Sequence, residues 1–455
     1  MGRKFLLFAL ILLFFGNSFG QAWVAQQTNL AASRGIQDIN IVTDDIVWCG
    51  SYNGSGTGST AIRDYCKTID GGTTWVKGTI PATGLAGLAI GNIQAFDANN
   101  AFVLMNPSSS STTGTGGKLL TTTNAGLNWT VVTGAAYSAT ESFANIVYAF
   151  DNNVIISQGD PRGGYFEIYR SVNGGTDWTR VPQANISPIN SSGEYGLVGS
   201  FTGFGENHFW FGTNENRVYV SNDKGITYNA YSVGAPAGSF ISNLAFSDTS
   251  TGFCSASDGA AIDYGVYKTT DGGKTWSLFI NAGDPLGKIT KVASIAYEPC
   301  SMSWWVTGSA AGSVGSAYSS DGGVSWVTVD SLQQQTALAF GTNVGFAGGF
   351  SAAGTGIFKW SCTSTGVDLS QNEAISKGYP NPVQNNYRYE SPYLKHSNVV
   401  LTIFDMTGRT IESKSFDNFS GYMIENFDFT NKASGLYLLN ISINGKQYTQ
   451  KIVKQ

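Results

Sequence analysis

The chain repeats one eight-residue phrase six times: Ser or Thr, any residue, Asp or Asn, any residue, Gly, any two residues, then an aromatic. The copies end at Trp75, Trp129, Trp178, Tyr228, Trp276 and Trp326, which are 54, 49, 50, 48 and 50 residues apart. A period in this range marks a repeat architecture, in which each unit buries its apolar face only against its neighbours. The phrase itself reads as a β-hairpin turn. The side chains of Asp70, Asn124, Asn173, Asp223, Asp271 and Asp321 can accept backbone N–H groups across it. The Gly two residues later supplies the positive φ of a tight turn. The Ser or Thr hydroxyl ties the preceding strand to the turn, and the aromatic tucks under the hairpin. A period near fifty leaves room for four strands of about 5–6 residues and their turns, which is one propeller blade.

Upstream of the phrase each interval carries an apolar strand pair, as at 36–50, 93–104, 146–156, 241–254 and 292–306. A seventh pair lies at 337–346, followed by a third strand at 357–360 but no phrase and no fourth strand. Trp23 stands 52 residues before Trp75, in phase with the repeat. The segment Trp23 to Gln26 is therefore expected to complete the last blade beside Ile357 to Trp360 and leave no open sheet edge. The expected fold is all-β: a seven-bladed β-propeller over 21–362. The composition agrees, with 57 Gly and only 13% charged residues, about half the usual share. Helices need Lys, Glu and Arg on their exposed faces. The six phrases resemble the Asp-box (BNR) repeats of sialidases, sortilin-type receptors and photosystem II assembly-factor propellers. In that family the box sits on the blade perimeter, so the resemblance speaks for the fold more than for a function.

The two ends read differently. Arg3 and Lys4 precede an apolar run, Phe5 to Phe15, and Ser18-Phe19-Gly20 offers small residues for cleavage, so 1–20 is expected to be a signal peptide. Residues 363–378 are polar and patternless, a linker. From 379 to 455 the pattern is that of a small antiparallel β-sandwich, with hairpins through 405–409 and Asn444-Gly445. Tyr379-Pro380-Asn381-Pro382, Asp405-Met406-Thr407-Gly408-Arg409 and the close Gly435-Leu436-Tyr437-Leu438-Leu439 with Lys451-Ile452-Val453-Lys454 resemble the type A C-terminal sorting domain of the type IX secretion system of Bacteroidetes. The resemblance implies passage through the periplasm to the outer cell surface or medium, with the type IX machinery as the partner of 379–455.

Charge and residue counts narrow the function. The net charge is −5 and no Lys/Arg run stands out, which excludes a phosphate-tracking surface and with it nucleic acid. Five Cys and two His, with no CxxC, supply no four-ligand zinc site; no metal and no cofactor are expected, and the chain is expected to be a monomer. Cys49 and Cys66 lie in neighbouring strands, and both a disulfide between them and two buried thiols stay open. Sialidases, by resemblance, clamp a carboxylate with three Arg beside a Tyr–Glu pair and an acid. The propeller here holds only Arg34, Arg63, Arg162, Arg170, Arg180 and Arg217, two of them flanking a box. Asp160 and Arg162 open a loop, and Glu194 begins the next inner strand. In so charge-poor a chain these three are the candidate binding residues, against an ion pair that steadies a loop. A non-catalytic binding or scaffold protein recognising protein or glycan is favoured; a glycoside hydrolase of sialidase-like type is the alternative.

Overall fold

A computed structural model of the chain describes residues 23–54, 61–107, 116–135, 137, 143–259, 262–350, 356–362, 377–444 and 446–455. The expected signal peptide and nearly all of the expected linker lie outside these residues.

Seven four-stranded antiparallel sheets succeed one another. Blade one comprises Arg34–Ile41, Val47–Asn53, Asp64–Thr68 and Val76–Thr79. Blade two begins at Leu88, blade three at Ala144, blade four at Gly196, blade five at Phe240 and blade six at Ser294. Each runs in simple sequence order. Blade seven takes Ala337–Phe340, Val344–Gly348 and Ile357–Ser361 from one end of the chain and Val24–Gln26 from the other. Val24 faces Lys359, Ala25 faces Phe358 and Gln26 faces Ile357, as the phase of Trp23 predicts. Blade seven also meets the inner strand of blade one, through Thr336 Oγ1, just before its inner strand, donating to Ile36 O at 2.8 Å and Ile36 N donating to Gly349 O, just after its second strand, at 3.1 Å. The ring therefore closes.

Burial follows position in the blade. Second strands, flanked on both sides, are apolar and almost wholly buried, as in Val47–Asn53 and Ser303–Ala310. Fourth strands are short and exposed, as in Val76–Thr79, which limits the free edges. Inner strands carry polar side chains that reach the backbone of the next blade. Asp38 accepts from Ile93 N at 2.7 Å, and Asn40 from Ala95 N at 2.9 Å. Asn92 accepts from Val147 N and donates to Val147 O, at 2.9 and 2.8 Å. Each of these links spans 55 residues, one repeat.

The boxes bond as the turn reading requires. In the first, Gly72 N donates to Thr68 Oγ1 at 2.9 Å, Thr68 Oγ1 to Asp70 Oδ1 at 2.8 Å, and Thr74 N to Asp70 Oδ1 at 2.8 Å. The box glycines have φ between 75° and 95°. The aromatics fill the seams between blades: Trp129 meets Trp48 and Tyr65 edge-on at 6.5 and 5.8 Å.

The tail is one hydrogen-bonded five-stranded sheet. Two of its strands, Asn386–Asp405 and Thr410–Asp428, run far longer than the sequence suggests, and their register shifts at four points. Such bulges bend a strand. The first part of Asn386–Asp405 pairs with Lys377–Tyr379, the later part with Gly435–Ile443, and residues from both parts share a single core. Where the sequence suggests a sandwich of separate hairpins, the described residues form one sheet in which two long strands run through both parts.

Candidate functional site

Strand order decides which residues share a face. In every blade the inner strand starts, the second strand ends and the third strand starts on one side of the ring. The boxes follow the third strand and so lie on the other side. Asp160, Arg162 and Glu194 belong to the first face, where the blade-to-blade loops also run.

Asn145 occupies a bulge between Ala144 and Ile146 in the inner strand of blade three. Its Nδ2 donates to Asp160 Oδ1 at 2.7 Å, and Gly196 N, opening blade four, donates to the same oxygen at 3.1 Å. Burial nevertheless dominates and raises the Asp160 carboxyl to about 6. Gln158 donates to Gly159 O at 2.8 Å. Among the described residues, the Asn145 Oδ1 and Gln158 Oε1 atoms are buried with no hydrogen-bond partner. A Cβ on Gly196 would lie 2.9 Å from both amide nitrogens, so only glycine lets them approach. This is a buried, acceptor-rich polar cluster at the seam between blades three and four.

The other two candidates turn elsewhere. The Glu194 carboxylate is buried; its Oε2 accepts from Asn190 N at 2.6 Å and pairs with Arg217 at 2.9 Å. Arg217 also donates to Pro188 O at 3.1 Å and covers the Tyr219 ring at 5.0 Å. Arg162 is 45% exposed and stands 3.8 Å from buried Glu167, which accepts from Tyr169 Oη at 2.9 Å. The three share a face, but the structure gives each a partner of its own and brings no two of them to one group. For Glu194 the geometry is that of an ion pair steadying the loop 187–195.

Cys49 and Cys66 differ from the bonded alternative. They face each other across adjacent strands but remain buried free thiols. Directly opposed residues hold their Cβ atoms about 4.5–5.5 Å apart, wider than the roughly 3.8 Å of a disulfide. Burial, then the neighbouring Cys66, pushes the Cys49 thiol well up. The bonded pair is Cys300–Cys362, with Cα atoms 6.5 Å apart.

Sequence reading also missed Asp38. Burial raises its carboxyl to about 7 against the single bond from Ile93 N. A lone acid within the apolar alternation of Ile36, Ile39 and Ile41 was the available signal. A cavity of about 240 Å³ between blades five and six, lined by Ser242, Ser255, Ser257, Asp263 and Lys291, lies on the same face as Asp160.

Boxes and ring together define a class: an Asp-box β-propeller. Residues 267–278, the fifth box, match the BNR/Asp-box repeat family. Residues 377–455 match the secretion system C-terminal sorting domain family, so the chain is exported by type IX secretion to the cell surface or extracellular space. No curated protein matches the chain. Among solved structures, "YCF48 bound to D1 peptide" is similar at TM-score 0.52 and 15% identity, over 76% of this chain and 98% of that one. YCF48 from Cyanidioschyzon merolae follows at 0.51 and 16%, over 75% and 98%. The GH74 xyloglucanase of Xanthomonas campestris reaches 0.29 and 14%, over 90% and 65%.

Proposed function

We propose that the exported propeller is a non-catalytic binding module that takes a peptide or glycan on its loop-bearing face, at the seam of blades three and four. The observation that carries this reading is the fate of the arginines. Arg34 pairs with Asp64 at 2.6 Å, Arg162 with Glu167 and Arg217 with Glu194. Arg63 reaches the carbonyls of Leu85 and Leu88, Arg170 that of Lys224, and Arg180 that of Arg162. All six are engaged with separate partners, so no three stand ready to clamp a carboxylate. The unmatched acceptors beside Asp160 instead suit a ligand rich in N–H or O–H donors, since a buried acceptor without a partner is costly. The similar propeller of YCF48 bound to D1 peptide makes peptides the first class to try.

The test is capture of purified mature protein on peptide and glycan arrays, with fluorogenic glycosides in parallel. Capture is expected without hydrolysis. It should weaken as pH falls through about 6, where Asp160 takes up a proton. Asp160→Asn should lower capture about tenfold, the scale of one charge-assisted hydrogen bond, and remove that pH dependence. Turnover of any glycoside, or capture indifferent to Asp160→Asn, overturns the reading.

A further inference from the structure

Six blades end their third strand in a box; blade seven does not. In five boxes the residue after the Asp or Asn donates its N–H to the turn joining the first two strands of its own blade. These bonds are Gly71 to Asp45 O, Ala125 to Asn99 O, Gly174 to Asn153 O, Lys224 to Asn207 O and Gly272 to Ser250 O, at 2.9–3.1 Å. In blade seven the tie to that turn is made by Cys362 N, which donates to Asn343 O at 2.8 Å. Cys362 therefore stands where a box would begin.

Boxes also receive donors from the blade before. Lys67 Nζ reaches Ala125 O at 2.9 Å, Arg170 Nε reaches Lys224 O at 2.7 Å, Trp210 Nε1 reaches Gly272 O at 2.8 Å and Lys268 Nζ reaches Gly322 O at 3.5 Å. Blade six has no box to reach on blade seven. Its turn instead carries Cys300, bonded to Cys362. Glu298 holds that turn in shape, accepting from Cys300 N and from Ser301 N at 2.5 and 2.8 Å. The strand just before Cys362, Ile357–Ser361, is the one that holds the N-terminal strand Val24–Gln26.

We propose that the Cys300–Cys362 disulfide is a covalent clasp that replaces the missing seventh box and, formed after export, locks the strand on which ring closure depends. Before export, in the reducing cytoplasm, Cys300 and Cys362 are thiols. In an oxidising compartment a disulfide oxidant, such as oxidised glutathione, accepts two electrons and two protons from them as the S–S bond forms. The chain continues from Cys362 toward the sorting domain, so the clasp also keeps any pull on the tail from reaching Ile357–Ser361 directly.

The full exported chain tests this by intact mass, melting and limited proteolysis. The expected mass is two hydrogens below that of the reduced chain. Reduction with a phosphine, or Cys300→Ser with Cys362→Ser, is expected to lower the melting midpoint by roughly 5–10 °C, as the loop constraint is lost. It should also open a cleavage site near residues 23–30, while Cys254→Ser, at a buried thiol elsewhere, opens none. Should the serine variant not fold, reduction of the folded native chain gives the same readout. An unchanged midpoint and digest after reduction overturn the proposal. So does a native mass showing both thiols reduced around one zinc ion, which would make Glu298, Cys300 and Cys362 a metal site.

Discussion

Trp305→Ala is expected to cost about 3–5 kcal/mol, the usual penalty for emptying a buried Trp site. The side chain is 2% exposed. Its ring lies 5.7 Å from Trp23, 5.4 Å from Phe340, 5.3 Å from Tyr318 and 5.6 Å from Trp360. These partners come from blade six, from blade seven and from the N-terminal segment, so one substitution empties the joint where the two ends of the propeller meet. Trp23 adds a bond from Nε1 to Ser316 Oγ at 2.7 Å, beside its edge contact with Trp305. The comparison is Trp210→Ala, at a fully buried Trp stacked 3.8 Å from Phe246 in the seam of blades four and five. Denaturant unfolding should show losses of the same order for both. Proteolysis separates them: only Trp305→Ala should release the segment near Val24–Gln26. A loss under about 1 kcal/mol, or equal protection of that segment in both variants, would mean that the aromatic joint does not hold the ring closed.

What the sequence shows of this molecule is its local chemistry. Each box closes within eight residues, so its bonds can be read from spacing alone. Even the swap of Asp for Asn is legible. Asp70, Asp223, Asp271 and Asp321 are followed four residues on by Thr74, Thr227, Thr275 and Ser325, whose hydroxyls donate to the carboxylate at 2.5–2.6 Å. Asn173 is followed by Asp177, and the donor runs the other way, Asn173 Nδ2 to Asp177 Oδ2 at 2.8 Å. Ring closure is legible too, because a constant period carries phase across the whole chain. The candidate site is not. Whether Glu194 faces a ligand or Arg217 depends on the third strand of its own blade, 23 residues away. Whether Cys362 finds Cys300, 62 positions earlier, depends on two blades lying side by side. No periodicity encodes such meetings. The tail lies between these cases: its hairpin turns are visible, but the register shifts along its two long strands are bulges with no residue signature of their own.

Asp38→Asn is expected to stabilise the propeller at neutral and alkaline pH and to change little near pH 4. Asp38 and Asn92 do the same work one repeat apart, each accepting an N–H from the next inner strand, Ile93 N and Val147 N. Asn92 does it without charge and uses its second atom to donate to Val147 O at 2.8 Å. Asp38 is half-buried by exposed area, yet burial still raises its carboxyl from 3.8 to about 7. The folded chain thus holds a proton that the unfolded chain gives up near pH 4. Stability from this group is complete below the unfolded value and is lost as pH climbs through the folded one. Each tenfold gain in proton affinity is worth about 1.4 kcal/mol, so about 4 kcal/mol is the ceiling, and solvent screening at this half-buried group lowers the expected gain of the variant at pH 8 to about 1–3 kcal/mol. Melting of the native chain and of Asp38→Asn from pH 4 to pH 8 gives the answer. The two curves should run together at the acid end and separate through pH 5–7, with the variant above. Curves that stay parallel across the range would mean that Asp38 ionises in the fold as it does in the open chain, and that burial does not hold its proton.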